Sequence, residues 1–351
     1  MEVPQTEMRL TQFSKGGGCG CKIAPSVLQE ILQGPAQDSF PQLLVGHGSN
    51  DDAAAWLLQG EDVIISTTDF FVPIVDDPYD FGRIASANAI SDVFAMGGKP
   101  VMAIAILGWP VDKLPVSAAQ QVLAGARAIC REAGIPLAGG HTIDSSEPIF
   151  GLAVTGQVKQ SQLKRNNTAL QHDVLFLTKP LGVGVMATAL KRGLLDEVHY
   201  APLMAQMTSL NSVGEALGKI DGVHALTDVT GFGIIGHLLE MAEGSGLGAE
   251  LAYGTLPKIE GLAGYLQQRA IPDATFRNWN SYSKDVAFEK GVNVLEAFNL
   301  LPDPQTNGGL LIAAAPDAAS AVQQLLREQG LYSEPIGRFT AAGEKRLRVL
   351  P

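Results

Sequence analysis

The pattern that most constrains the fold is an alternation of short apolar runs with helical stripes, broken once by a polar stretch and then resumed. From Asp62 the chain reads as a buried strand, DVIISTTDFF, ending at Asp69. FGRIASANAISDVFAMGGKP (Phe81–Pro100) then reads as a helix stopped by Gly97 and Gly98, with Pro100 beyond them. VMAIAIL is a second buried strand. In VSAAQQVLAGARAICREAG (Val116–Gly134) the apolar residues Val122, Ala126, Ile129 and Ala133 form a helical stripe. Cys130 lies beside that stripe as a small buried hydrophobe. IPLAGG and IFGLAVTGQV supply further strands. The polar stretch KQSQLKRNNTALQHD (Lys159–Asp173) reads as a junction. Beyond it come strand VLFLTKP, helices near Gly184–Arg192 and over Pro202–Gly218, strand VHALTD and a helix from Ile234. Strand GLLIAAA, a helix over Ala318–Gln329 and two terminal strands complete the chain. Two such blocks predict a two-domain α/β and α+β protein. A glycine-rich lead-in spans 1–50, an N-terminal domain 51–160 and a C-terminal domain 170–351. Within the lead-in, APSVLQEILQG (Ala24–Gly34) predicts one short helix, with Ser26 as its cap and Gly34 as its end.

With 351 residues, 46% of them hydrophobic, the chain can build two cores. Its longest apolar runs, such as Val101–Trp109, are too short to span a bilayer, and no charged leader precedes an apolar signal core. A cytoplasmic protein without a membrane partner is expected. The net charge of −11 argues against a nucleic-acid partner, since phosphate backbones select basic patches. Solubility accounts for most of that charge, but several acids stand in apolar settings.

NDDAAAW places Asp51 and Asp52 ahead of an apolar run, and Asp69 closes the strand VIISTTD. Asp92 sits inside an apolar helix, with Asn88 four residues earlier on the same face. Asp228 ends VHALTD before VTGFGIIGH. A buried carboxylate costs several kcal/mol unless it is paired or bound to metal. Each of these alone is more often a cap or turn acid. Several at strand ends converge at one edge of an α/β layer, where ligands bind. Oxygen-only ligands suit Mg²⁺ held together with nucleotide phosphates.

Three glycine loops, AGGHTID (Ala138–Asp144), KPLGVGV (Lys179–Val185) and TNGGLL (Thr306–Leu311), flank strands and would let backbone N–H groups approach a phosphate. There is no Walker A pattern, no G-x-G-x-x-G after a strand, no H-E-x-x-H and no G-x-S-x-G. P-loop, Rossmann, zincin and serine hydrolase readings therefore lose ground. KGGGCGCKIAP (Lys15–Pro25) carries two of the three cysteines on glycine-rich chain. Three cysteines make no disulfide framework, and one C-x-C is a poor start for zinc. A dithiol redox site, a nucleophile on a mobile lid with Lys22 lowering its thiol pKa, and an incidental tail all remain open on these residues alone.

LTQFSKGGGCGCKI, DDAA, STTDFFVPIVDDPYDFGRIASANAISDVFAMGGKP, AIAILGWP, AGGHTID, PIFGLAVTG, LTDVTGFGIIGHLLEM and DPQTNGGLL together resemble the selenophosphate synthetases, or selenide, water dikinases. The resemblance runs in register from about Arg9 to the C-terminus. It implies synthesis of selenophosphate from ATP, selenide and water, with release of AMP and orthophosphate, and a Mg²⁺ cofactor. It also implies an aminoimidazole ribonucleotide synthetase-like ATP-binding fold, with a barrel shared across a homodimer. On the matching positions it implies catalytic roles for Cys19 and Lys22, with Lys22 approaching the ATP phosphates. Asp52, Asp92 and Asp228 are the implied Mg²⁺ ligands. Ser49, Asn50, Asp51, Asp69, Asp92, Gly140, His141 and Thr142 are the implied nucleotide contacts. Asn307 stands where the family pattern expects serine, and VGHGSN (Val45–Asn50) is less typical. An amidine-forming synthetase of the same fold would share the acids but has no use for GGGCGCK. A non-catalytic thiol module would not need the acids.

Overall fold

The computed structural model describes residues 9–14, 16–23, 25–32, 40–46, 48 and 51–351. At the centre of its first sheet is the strand Asp62–Phe71, whose burial alternates so that Val63, Ile65, Thr67 and Phe71 face inward. It continues two residues past Asp69 because Phe71 is buried, its ring 6.2 Å from that of Phe81. The sheet has six strands in the order Leu43–Val45, Ala54–Leu57, Asp62–Phe71, Ile149–Lys159, Lys99–Trp109, Leu137–Asp144. Only the last pair is parallel.

One face of this sheet is covered by the helices Pro78–Ala95 and Val116–Glu132. The first of these starts on an N-cap, Asp77, whose carboxylate accepts from Asp80 N at 2.8 Å, with Pro78 at the first helical position. It ends ahead of Gly97, which takes a left-handed φ of 73°. The two helices cross at glycines: a Cβ on Gly82 would stand 1.9 Å from Val122 O, and one on Gly125 2.0 Å from Tyr79 O. Packed also against the second domain, the helix Pro78–Ala95 is buried nearly all round, so Asn88, Ser91 and Asp92 lie inside the protein. The other face of the sheet is open and exposes Trp56, Phe70, Met102, Ile104 and Ile143.

The second sheet has seven strands in the order Val286–Phe288, Leu347–Leu350, Leu247–Ala252, Gly337–Ala341, Val174–Leu177, Leu310–Ala314, Val223–Asp228. The helix expected over Pro202–Gly218 is two helices, Glu197–Thr208 and Val213–Gly218. The break falls where Asn211 turns inward and donates from Nδ2 to Ser91 Oγ and Gly308 O, both at 2.8 Å. In the lead-in the helix covers Pro25–Leu32. Ala24, Gly34 and the side chain of Ser26 lie outside the described residues. Among the described residues no helix is long and apolar enough to cross a membrane.

Candidate active site

The inward positions at the end of strand Asp62–Phe71 face the helix Pro78–Ala95, and both surfaces turn polar at the same level. Thr67 Oγ1 donates to Asp92 Oδ2 at 2.5 Å, and Asn88 Nδ2 donates to Asp69 Oδ2 at 2.5 Å. These contacts follow from two periods: residues 67 and 69 share a strand face, while 88, 91 and 92 share a helix face. Ser91 Oγ reaches across to the second domain and donates to Asp228 Oδ2 at 2.5 Å. Thr227 Oγ1 donates to Asp52 Oδ1 at 2.9 Å, and Asp52 Oδ2 is buried without a partner.

The carboxylates feel one another. Burial, then Asp228 and Asp92, hold the Asp52 carboxyl well above the ordinary carboxylate range. Burial, then Asp228 and Asp69, do the same to Asp92. Burial pushes Asp228 up to about 6 against the opposing pull of Ser91, Lys22 and Lys179. Acids strained upward by burial and like charge gain most from a cation among them. Among the described residues, no three His, Cys, Asp or Glu side chains are placed to hold an ion by themselves. The all-oxygen donors and the orphaned Asp52 Oδ2 nonetheless fit Mg²⁺, which keeps waters and takes phosphate oxygens instead of needing a closed protein cage.

The cysteine segment lies closed over this pocket. Gly18–Cys21 forms a 3₁₀ turn, Cys19 is 1% exposed, and its N donates to Thr306 Oγ1 at 3.1 Å. Cys19 Sγ donates to Asn88 Oδ1 at 3.2 Å, an oxygen that also accepts from Asn307 N at 2.7 Å. Asn88 therefore ties the thiol, Asp69 and the Thr306–Gly309 loop together. Gly231 lets the turn sit down, since a Cβ there would be 2.6 Å from Cys19 O. Lys22 does pull the Cys19 pKa down as expected, but burial and the Asp69 carboxylate outweigh it and push the thiol up. Lys22 keeps an exposed surface, with Nζ 6.0 Å from the centre of the Phe232 ring. Crowding by protein works to lower its pKa, but Asp69, Cys19, Asp92 and Asp228 prevail and raise it.

Other expected positions fare differently. Gly140 lies in one sheet row with Asp69, through Leu152 and Ala105, so three strand spacings, about 14 Å, separate them. The strand carrying Gly140, His141 and Thr142 is the exposed edge of the sheet. Asp51 Oδ1 accepts from Asn166 N at 2.7 Å, and Ser49 and Asn50 lie outside the described residues. The KPLGVGV loop is not a free phosphate cradle: Gln305 Oε1 takes the N–H groups of Gly182 and Val183, and Asp303 Oδ2 takes that of Gly184. The glycines of TNGGLL serve close packing, because a Cβ on Gly308 would stand 2.0 Å from Val229 O. Sequence reasoning missed the supporting residues Thr67, Ser91, Asn211, Thr227 and Thr306. For Thr67 and Ser91 a signal existed, polar residues two along the strand from Asp69 and three along the helix from Asn88; for the other three there was none.

Residues 50–158 match the family model for the AIR synthase related protein N-terminal domain, and 171–350 that for its C-terminal domain. Solved structures share the fold. Thiamine-monophosphate kinase from Stenotrophomonas maltophilia K279a is 21% identical, with 88% of this chain and 91% of that one covered and a TM-score of 0.65. Hydrogenase maturation protein HypE in complex with ATP is also 21% identical, covers 87% of this chain and 83% of its own, and has a TM-score of 0.63. The class is thus a two-domain AIR synthase-related protein. Much nearer in sequence are proteins named selenide, water dikinase. That of Pseudomonas putida is 52% identical over 98% of this chain and 99% of its own, and that of Colwellia psychrerythraea 51% over the same shares. That of Burkholderia pseudomallei is 52% identical over 98% and 96%. The chain belongs to the selenide, water dikinase family.

Proposed function

We propose that this protein makes selenophosphate from ATP, selenide and water, releasing AMP and orthophosphate. The observation that carries the reading is the position of the Cys19 thiol. A soft, polarizable sulfur is buried against Asn88, one residue removed from the carboxylate pocket, on a turn that continues into Lys22. An AIR synthase-type enzyme acting on oxygen or nitrogen substrates has no need of such an atom.

Asp52, Asp92 and Asp228 would hold Mg²⁺, which when bound screens the triphosphate charge. Lys22 brings its ammonium to the same phosphates, where phosphoryl transfer depends mostly on positioning and charge. Asp69, held by Asn88, lines the nucleotide side. The closed turn excludes water while selenium is brought to the phosphate. Cys19 handles the selenium; being protonated in this closed arrangement, it must lose its proton or its place beside Asp69 to act as a nucleophile. Support for a homodimer comes from the open apolar face of the first sheet. A second copy there would cover that face and bring another Gly140–Thr142 segment to each nucleotide, which the three-strand separation within one chain does not do.

The test is AMP release from ATP with and without selenide, together with ³¹P detection of selenophosphate. Selenide-dependent AMP is expected. AMP formation indifferent to selenide, or formation of ADP alone, refutes the reading.

A further inference from the structure

The 3₁₀ turn Gly18–Cys21 is a partition with one thiol on each side. Cys19 faces Asn88 and the acids; Cys21 is exposed and lines a cleft of about 810 Å³ on the outer side of the turn, which shares Lys22 and Thr306 with the site. Four cations line that cleft, Lys22, Lys191, Arg192 and Arg277, against two carboxylates, Glu147 and Asp273. Lys22 also answers to Asp69, Asp92 and Asp228 on the inner side of the turn, so the surplus proper to the cleft is Lys191, Arg192 and Arg277 against two carboxylates, one positive charge in a chain whose net charge is −11. None of the four cations has an ion-pair partner among the described residues. Lys191 Nζ and Arg277 Nη2 do donate to the lid backbone, Lys191 to Gly16 O at 3.2 Å and Arg277 to Gly20 O at 2.8 Å. That leaves their charge uncompensated and most of arginine's donors unused. Between the cations the wall is apolar, formed by Val72, Ile74, Ile271 and Pro304.

We propose that this basic cleft gathers the anionic selenium substrate on the outer, Cys21 side of the turn, against the backbone that carries Cys19, and that the substrate passes to Cys19 when the turn opens, while the nucleotide occupies the acidic side. This rests on the function proposed above. Hydrogen selenide is a monoanion at neutral pH, with a large, polarizable and weakly hydrated centre. Cations set in an apolar wall suit such an ion, which needs charge without directed hydrogen bonds. The acidic pocket repels it. The cleft far exceeds the volume of a single selenide ion and therefore acts as a funnel: it raises the local concentration of the anion and its rate of arrival. Lys191 and Arg277, which also hold the turn, are its principal positioning residues.

Cys21 reports the potential in the cleft without any turnover. Alkylation of Cys21 by anionic iodoacetate and neutral iodoacetamide, quantified by peptide mass, gives a rate ratio to set beside that of a free cysteine derivative. The ratio should exceed the control at low salt, fall toward it in Lys191→Gln/Arg277→Gln, and be kept in Lys191→Arg/Arg277→Lys. In turnover, kcat/KM for selenide should drop about tenfold or more at low ionic strength in the neutralised pair, and the gap should close as salt is added. A wild-type ratio at or below the control overturns the proposal. So does a loss of kcat/KM that the charge-preserving pair shares, which would mark the cations as structural. Absence of selenide-dependent AMP from the wild type would refute the proposed function instead, and the alkylation ratio would still judge the cleft.

Discussion

Asp228→Asn separates a strained ligand from a structural anchor by the sign of its effect on stability. Asp228 is 1% exposed, and burial lifts its carboxyl from 3.8 to about 6. A shift of about two units is ~3 kcal/mol held against the charged form, since each unit is ~1.4 kcal/mol. Asparagine removes that charge and keeps an oxygen for the Ser91 hydroxyl. That shift is already net of the attraction of Lys22 and Lys179, and the amide replaces the carboxylate's contacts only in part. A net stabilisation of ~1–3 kcal/mol remains, a rise in melting temperature of roughly 1–4 °C for a chain of 351 residues. The sign with pH is fixed by linkage. A folded pKa raised above the unfolded one destabilises above about pH 6, and the penalty disappears as pH falls through 6 toward 3.8. Lys179, lowered to about 7, titrates between there and 10.5, a window that includes pH 7.5, but wild type and variant both carry it, so it enters their difference only through its attraction to Asp228. Scanning calorimetry in EDTA at pH 7.5 should thus show the variant melting above the wild type, and the two should converge near pH 4. Mg²⁺ with a non-hydrolysable ATP analogue should raise the wild type and leave the variant unmoved, and turnover should be lost. A variant that melts below the wild type at pH 7.5 would show that Asp228 anchors the fold through Ser91 and would refute the argument.

Gly231→Ala should prop up the cysteine turn, because its Cβ would sit 2.6 Å from Cys19 O; the turn yields before the core does, so trypsin cleavage after Lys22 should quicken and selenide-dependent AMP fall, with the melting temperature little changed. Cys19→Ser should abolish selenide-dependent AMP formation, as measured by chromatography of the nucleotides. Cys21→Ser should retain turnover at saturating selenide, and buried Cys130→Ala should show at most a modest drop in melting temperature. Gly125→Ala should destabilise by ~1–3 kcal/mol or more in urea titration, because its Cβ would collide with Tyr79 O at 2.0 Å where two helices cross.

Periodicity made the strands around Asp69 and Asp228 and the helix carrying Asp92 legible, because a two- or 3.6-residue pattern is a property of local sequence. The chain motifs identified the chemistry: a thiol, a lysine and strand-end acids of the selenide, water dikinase family are all written in order along it. What the sequence left undecided is set by groups distant in the chain. Thr306 reaches Cys19 N across 287 positions, and Ser91 reaches Asp228 across 137. The pull of Lys22 on the Cys19 thiol was legible, but the net direction was not, because burial and Asp69 come from the packed fold. The KPLGVGV glycines left a turn and a phosphate loop open in the sequence, and the partners Gln305 and Asp303 on their N–H groups come only from the fold. Local pattern determines which elements form and which residues they carry; desolvation, like-charge crowding and the partner of each backbone donor exist only once distant elements are packed together.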